Sequence, residues 1–199
     1  EPLLSIVDDL FNEDKDRKVI IFTEFVGTQN YLSRLLAERG YSTSLLNGSL
    51  SIEERNIVLA EFRETTNILI STDAGGEGLN LQFSNCVINY DLPWNPMKIE
   101  QRIGRVDRIG QQRDVEVYNF ILADTVESRV KGVLEEKLAV ILKEIGIDKY
   151  ADVLDSETAG VNFTDAYMNS IRSPKSVEYN IKPIEEDLKT QVKNTMRIK

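Results

Sequence analysis

The stretch KVIIFTEFVGTQNYLSRLLAERGYSTSLL, Lys18 to Leu46, decides the fold. Lys18 to Phe22 is a short apolar run, which reads as a strand buried on both faces of a parallel sheet. Thr28 to Arg39 then carries Tyr31, Leu32, Leu35 and Leu36 at helical spacing and stops at Gly40, a residue suited to a helix C-terminal cap. Ser42 to Leu46 is strand-like again and leads into the turn Asn47-Gly48.

The same alternation continues on both sides. Leu3 to Phe11 reads as a lead-in helix. Ser51, with Glu54 three residues later, forms a capping-box pattern that opens a helix through Ile57, Val58 and Phe62. Asn67–Ser71, Asn85–Tyr90 and Val115–Leu122 read as strands, with a helix after Pro96. This succession predicts an α/β protein, a parallel sheet sandwiched by helices. Sites in such sheets form at the carboxyl ends of the strands. The glycine-rich segment Thr72–Leu79 leaves one of those ends. Three regions are expected: a sheet domain over 1–122, a helix within 123–147 with an apolar stripe from Val130 to Ile145, and a helical or irregular extension over 148–199.

Composition removes several chemistries. The 199 residues contain no histidine and one cysteine, Cys86. Histidine triads, histidine metal sites, an internal disulfide and a cysteine-rich zinc site are therefore excluded. Cys86, beside Val87 and Ile88, reads as a buried strand thiol. The net charge of −9 argues against tight autonomous nucleic-acid binding, though a local basic patch on an acidic body is compatible with it. No apolar run approaches the length of a membrane span and no signal peptide is seen, so the expected location is the cytoplasm. The sequence opens on Glu1 and runs straight into a helical pattern, which suggests a piece of a longer protein.

The most lopsided charge lies in PWNPMKIEQRIGRVDRIGQ, Pro93 to Gln111. From Met97 to Arg113, five Lys/Arg face only Glu100 and Asp107. Arginine keeps its proton near neutral pH and cannot act as a general base, so Arg102, Arg105, Arg108 and Arg113 with Lys98 point to stabilisation of phosphate charge. On a single continuous helix, Ile99, Ile103 and Val106 would share the core-facing stripe. Gln101, Arg105 and Arg108 would lie opposite, with Arg102 at the edge between them.

Five segments then carry a resemblance. KVIIFTEF (Lys18–Phe25), NGS (Asn47–Ser49) with Arg55 and Phe62, ISTDAGGEGLNL (Ile70–Leu81), DLPWNP (Asp91–Pro96) and QRIGRVDRIGQ (Gln101–Gln111) occur in that order. Together they resemble motifs IV, IVa, V, Va and VI of the second RecA-like lobe of superfamily-two helicases. The PWNP and RIGQ elements look like the bacterial SWI/SNF-type ATPases, a branch that includes an RNA-polymerase-associated member. The resemblance spans about residues 1 to 140.

What it implies can be stated by residue. Arg105 and Arg108 match arginine fingers that reach the γ-phosphate of ATP, and Gln101 and Arg102 match residues supporting that site. Gly76, Glu77, Gly78 and Asn80 match positions lining the nucleotide cleft. Thr23, Gly48, Ser49, Ser71 and Thr72 match positions that touch a nucleic-acid backbone, and Trp94 an aromatic that approaches the duplex groove. Small hydroxyls and backbone N–H groups position a strand without reading its sequence. Glu24 and Asn47 suit structural or capping roles, and an acidic Asp73 argues against a phosphate contact by that side chain. ATP and Mg²⁺ would be held mainly by an N-terminal RecA-like lobe, because this sequence has neither a GxxxxGK[ST] loop nor a DExH-type acidic pair. The expected whole is a double-stranded DNA translocase with this lobe inactive alone, and RNA polymerase a candidate partner. A non-catalytic RecA-like regulatory module and a single-stranded nucleic-acid helicase lobe are the alternatives.

Overall fold

The computed structural model describes residues 2–76, 79–93 and 96–121, with isolated positions Gly132, Asn169, Tyr179 and Lys182. The chain divides into two compact units, Glu1–Leu92 with Arg102–Phe120, and Pro93–Gln101 with Ile121–Lys199. Apart from these isolated positions, the helix expected over Val126–Ile145 and the extension over 148–199 lie outside the described residues. Among the described residues, no helix is long and apolar enough to cross a membrane.

The first unit is built on five parallel strands: β1 Val19–Thr23, β2 Thr43–Leu46, β3 Ile68–Thr72, β4 Cys86–Asn89 and β5 Glu116–Asn119. Their order is β2-β3-β1-β4-β5, which puts β1 at the centre. Registers pair Val19 with both Ile68 and Cys86, so the three inner strands start level; β1 and β3 end together at Thr23 and Thr72, and β4 ends one residue earlier at Asn89, opposite Phe22. All residues of β1, β3 and β4 are buried, the apolar runs that open each strand and the polar residues Thr23, Ser71, Thr72 and Asn89 that close them.

Alternation along each strand distributes that apolar content to two layers. Val19, Ile21, Ile68, Ile70, Cys86 and Ile88 pack with α1 (Pro2–Glu13) and α2 (Val26–Glu38) through Val7, Leu10, Leu32 and Leu36. Ile20, Phe22, Leu69 and Val87 pack on the other side, with Phe62 of α3 (Ile52–Glu64) and Val106.

Local signals behave as read. The Ser51 side chain accepts from the Glu54 N–H at 3.2 Å, and the Glu54 carboxylate accepts from the Ser51 N–H at 2.8 Å. Gly40 has φ +88°, and α2 closes with Gly40 N–H donating to Ala37 O and Tyr41 N–H to Leu36 O. The glycine-rich segment leaves the end of β3 as read, starting with a one-turn helix, α4 (Asp73–Gly76). Two expectations need correction. Tyr31 and Ile57, placed among the apolar positions of α2 and α3, are exposed. The arginine helix, α5 (Pro96–Ile103), stops two residues before Arg105. Gly104, a poor helix former, starts the turn that ends it.

Burial pushes the Cys86 thiol up to about 12 from its ordinary 9.0, with Glu116 adding to the shift and Arg17 opposing it. The folded chain thus holds this proton more tightly than the unfolded chain. The resulting stabilisation is complete below about pH 9 and is lost as pH rises toward about 12. Urea midpoints are expected to fall across that window, with a shallower fall in Cys86→Ala. A slope unchanged by the substitution would contradict the assignment.

Candidate functional site at the carboxyl edge of the sheet

The carboxyl ends of the five parallel strands lie at one edge, and a single guanidinium joins two of them. Arg102 is 3% exposed. Its Nε donates to Asp73 Oδ1 at 2.7 Å, just beyond β3. Its Nη1 donates to Asn89 Oδ1 at 3.1 Å and to the Asp91 carbonyl at 2.9 Å, at the end of β4. The cation lies 5.4 Å from the centre of the Phe22 ring, contributing a cation–π contact. The expectation that Arg102 sits at a helix edge is therefore corrected, because paired carboxylates allow its charge to be buried.

Asp91 extends the network to β1. Its carboxylate accepts hydrogen bonds from the Thr23 hydroxyl and, at 2.7 Å, from the Glu24 N–H. Gln29, on the inward face of α2, donates to Leu46 O at 3.0 Å and Ile70 O at 2.7 Å, bracing β2 and β3. Its Oε1 accepts from Asn47 Nδ2 at 3.1 Å. The sequence reading did not single out Gln29, although it occupies the stripe position three residues before Leu32.

The β2 and β3 loops interlock. A Cβ on Gly75 would meet Leu46 O at 2.6 Å and the Asn47 backbone at 2.7 Å. One on Gly48 would meet the Ala74 Cβ at 2.9 Å. Asn47 Oδ1 accepts from both the N–H and hydroxyl of Ser49, at 3.1 and 2.6 Å, which holds the turn.

The residues expected to face a nucleic-acid backbone separate into two groups. Gly48 and Ser49 are exposed. Thr23, Ser71 and Thr72 are buried, with Thr23 bonded to Asp91, Ser71 donating to Thr72 O, and the Thr72 hydroxyl accepting from Gly75 N–H. Their side chains shape the edge. Trp94, Glu77 and Gly78 lie outside the described residues. Gly76 closes α4, and Asn80 is exposed, its Oδ1 accepting from the Gln82 N–H in a local turn. Gln101 is exposed.

Arg105 and Arg108 lie beyond the end of α5, in a segment tied to it by Arg105 N–H to Arg102 O and Asp107 N–H to Ile103 O. The Arg105 carbonyl accepts from Leu81 N–H at 2.9 Å, and Val106 anchors the turn in the core. Arg105 is half-buried and Arg108 exposed, with Arg108 Nε donating to Gly104 O at 2.8 Å. Among the described residues, neither pairs with a carboxylate, whereas Arg102 makes two such pairs. Gln111 pins the far end of the segment by donating to Gln82 O, Ser84 O and Val106 O at 3.0–3.2 Å. Among the described residues, no acidic or cysteine cluster is assembled that could hold a metal ion.

A parallel sheet whose carboxyl edge is tied together by a buried guanidinium defines the class, a RecA-like α/β domain. The pattern of the helicase conserved C-terminal domain matches residues 2–110, and the chain belongs to that family. It is 48% identical over 131 residues to the uncharacterized ATP-dependent helicase YqhH of Bacillus subtilis (strain 168), covering 66% of this chain and 24% of that protein. It is 34% identical over 151 residues to the RNA polymerase-associated protein RapA of Vibrio campbellii, covering 71% of this chain and 16% of RapA. The chain thus spans about a quarter or less of these relatives. The crystal structure of the C-terminal part of the Fun30 ATPase domain superposes with a TM-score of 0.56 at 26% identity, covering 84% of this chain and 53% of that one. The Pyrococcus furiosus Hef helicase domain shares the fold, with a TM-score of 0.55 at 24% identity over 66% of this chain and 27% of that one. These matches agree with the motif resemblance to SWI/SNF-type helicases and with a RecA-like fold.

Because Gly75 is packed against backbone, Gly75→Ala is expected to cost about 1–3 kcal/mol, the range of an overpacked core. Urea denaturation against the unmodified chain checks this. A loss below about 0.5 kcal/mol would show that the loops yield easily, since that is the range of an indifferent surface substitution.

Proposed function

We propose that this chain is the second motor lobe of an ATP-dependent double-stranded DNA translocase of the SWI/SNF type. Arg105 and Arg108 act as arginine fingers on a nucleotide held chiefly by an N-terminal RecA-like lobe with its Mg²⁺. One observation carries the reading. Of the three arginines in QRIGRVDR, the first is buried and paired with two carboxylates, while the two after it lack a carboxylate partner among the described residues.

A guanidinium paired with a carboxylate has its donors occupied, so it cannot also neutralise phosphate charge at full strength. Arg105 and Arg108 retain that capacity, and a turn anchored at Arg102, Val106 and Gln111 fixes where they are presented. Preorganised cations of this kind stabilise charge spreading over a transferring phosphoryl group. Arg102 and Gln101 support the turn. Gly76, Glu77, Gly78 and Asn80 line the nucleotide cleft from this side. Gly48 and Ser49 offer exposed donors to a DNA backbone, with Thr23, Ser71 and Thr72 shaping the loops that present them, and Trp94 approaches the groove. The ATP dependence named for YqhH and the polymerase association named for RapA support this direction.

In the full-length protein, Arg105→Ala is expected to lower duplex-stimulated ATP hydrolysis by ~10³–10⁵-fold, the range of an arginine finger. Nucleotide affinity should change by less than about tenfold, because the finger acts mainly on the transition state. Equal losses in binding and turnover would overturn the finger role. The 199-residue chain by itself is expected to show no nucleotide hydrolysis above background in a phosphate-release assay, and sustained turnover would refute the composite site.

A further inference from the structure

Asp91 enters the site above only as a partner of Arg102, yet it lies where two parts of that site touch. Its carboxylate accepts from the Thr23 hydroxyl and the Glu24 N–H, fixing the loop that leaves β1. Its carbonyl accepts from Arg102 Nη1 at 2.9 Å, and its Oδ1 faces Arg102 Nη2 at 3.8 Å. That Nη2 is buried and has no hydrogen-bond partner among the described residues. The separation suits an ion pair but must close by roughly 1 Å to become a hydrogen bond. The backbone of Arg102 in turn holds the start of the arginine turn, through Arg105 N–H to Arg102 O at 3.2 Å.

We propose that Asp91 is a positioning residue that couples the β1 loop to the arginine turn, setting Arg105 and Arg108 according to how that loop is held. The proposal deepens the translocase reading and rests on it for its functional part. Two carboxylate oxygens accept from two donors and face a third, so the carboxylate cannot move toward Arg102 without shifting Thr23 and Glu24. Load on the β1 loop reaches Arg102 by the same atoms in reverse. A buried donor left just short of its acceptor marks the place where a second arrangement would form. Asp73, the other carboxylate on Arg102, belongs to α4 and holds the guanidinium from the β3 side.

The test is made in the full-length protein with Asp91→Ala, and with Asp91→Asn should the first variant fail to fold. The control is Ser44→Ala, which removes the buried Ser44–Thr66 hydroxyl contact at the opposite end of the sheet. Amide exchange at Glu24 and Asp107 is expected to quicken together, by at least threefold, in the Asp91 variants and not in the control. Faster exchange at Glu24 alone, or equal effects in the control, would overturn the coupling. Duplex stimulation of ATP hydrolysis is expected to fall at least fivefold in the same variants, with the control unaffected; an unchanged ratio would refute the functional part. Absence of stimulation in the unmodified protein would sink the translocase reading, while the exchange comparison would still judge Asp91.

Discussion

The carboxyl edge of this sheet depends on one buried cation. Arg102 is set between Asp73 and the Asn89–Asp91 segment, above the ring of Phe22, and its guanidinium replaces water with fixed acceptors. Burying a charge is costly unless such partners are present. Here they come from the ends of β3 and β4, so the arginine holds together segments that the sheet alone would leave as separate loops. It also serves as the foot of the turn carrying Arg105 and Arg108. The same motif thus pairs its first arginine with two carboxylates and leaves the next two without a carboxylate partner among the described residues.

The rest of the unit supplies a stiff base for that edge. The inner strands are apolar on both faces and are covered by α1 and α2 on one side and α3 on the other. Thr23 and Thr72 are in register at the ends of β1 and β3, and Asn89 ends β4 one residue short of them. Gln29 then bridges β2 and β3 by donating to the carbonyls of Leu46, at the end of β2, and Ile70, within β3. Loops anchored this way can present backbone donors without paying for disorder each time they engage a ligand.

Much of this was legible from residue patterns, for identifiable reasons. Fully apolar runs such as Val19–Phe22 leave little choice but a buried parallel strand, and Ser51 with Glu54 announces a helix start through local hydrogen bonds alone. Readings failed where tertiary context decided the outcome. Angular periodicity assigns Arg102 to a boundary, because nothing in a helical wheel reveals two carboxylates waiting on other strands. The same periodicity carries α5 past Gly104, whereas Val106 is drawn into the core from a turn. Gln29 escaped notice because polar residues on an apolar stripe acquire meaning only when the carbonyls they meet are known. The division between exposed Ser49 and buried Thr23 was hidden likewise, since small hydroxyls suit either setting.

The close fit of Gly48 against Ala74, and of Gly75 against Leu46 and Asn47, has an evolutionary corollary. Volume at these positions is shared between two loops far apart in the chain, so it can be redistributed but not increased. A homologue with a larger residue at position 48 should carry a smaller one at position 74, and pairs of replacements should arise together where single ones are selected against. Such covariation would record, across lineages, that the two loops shift as one body.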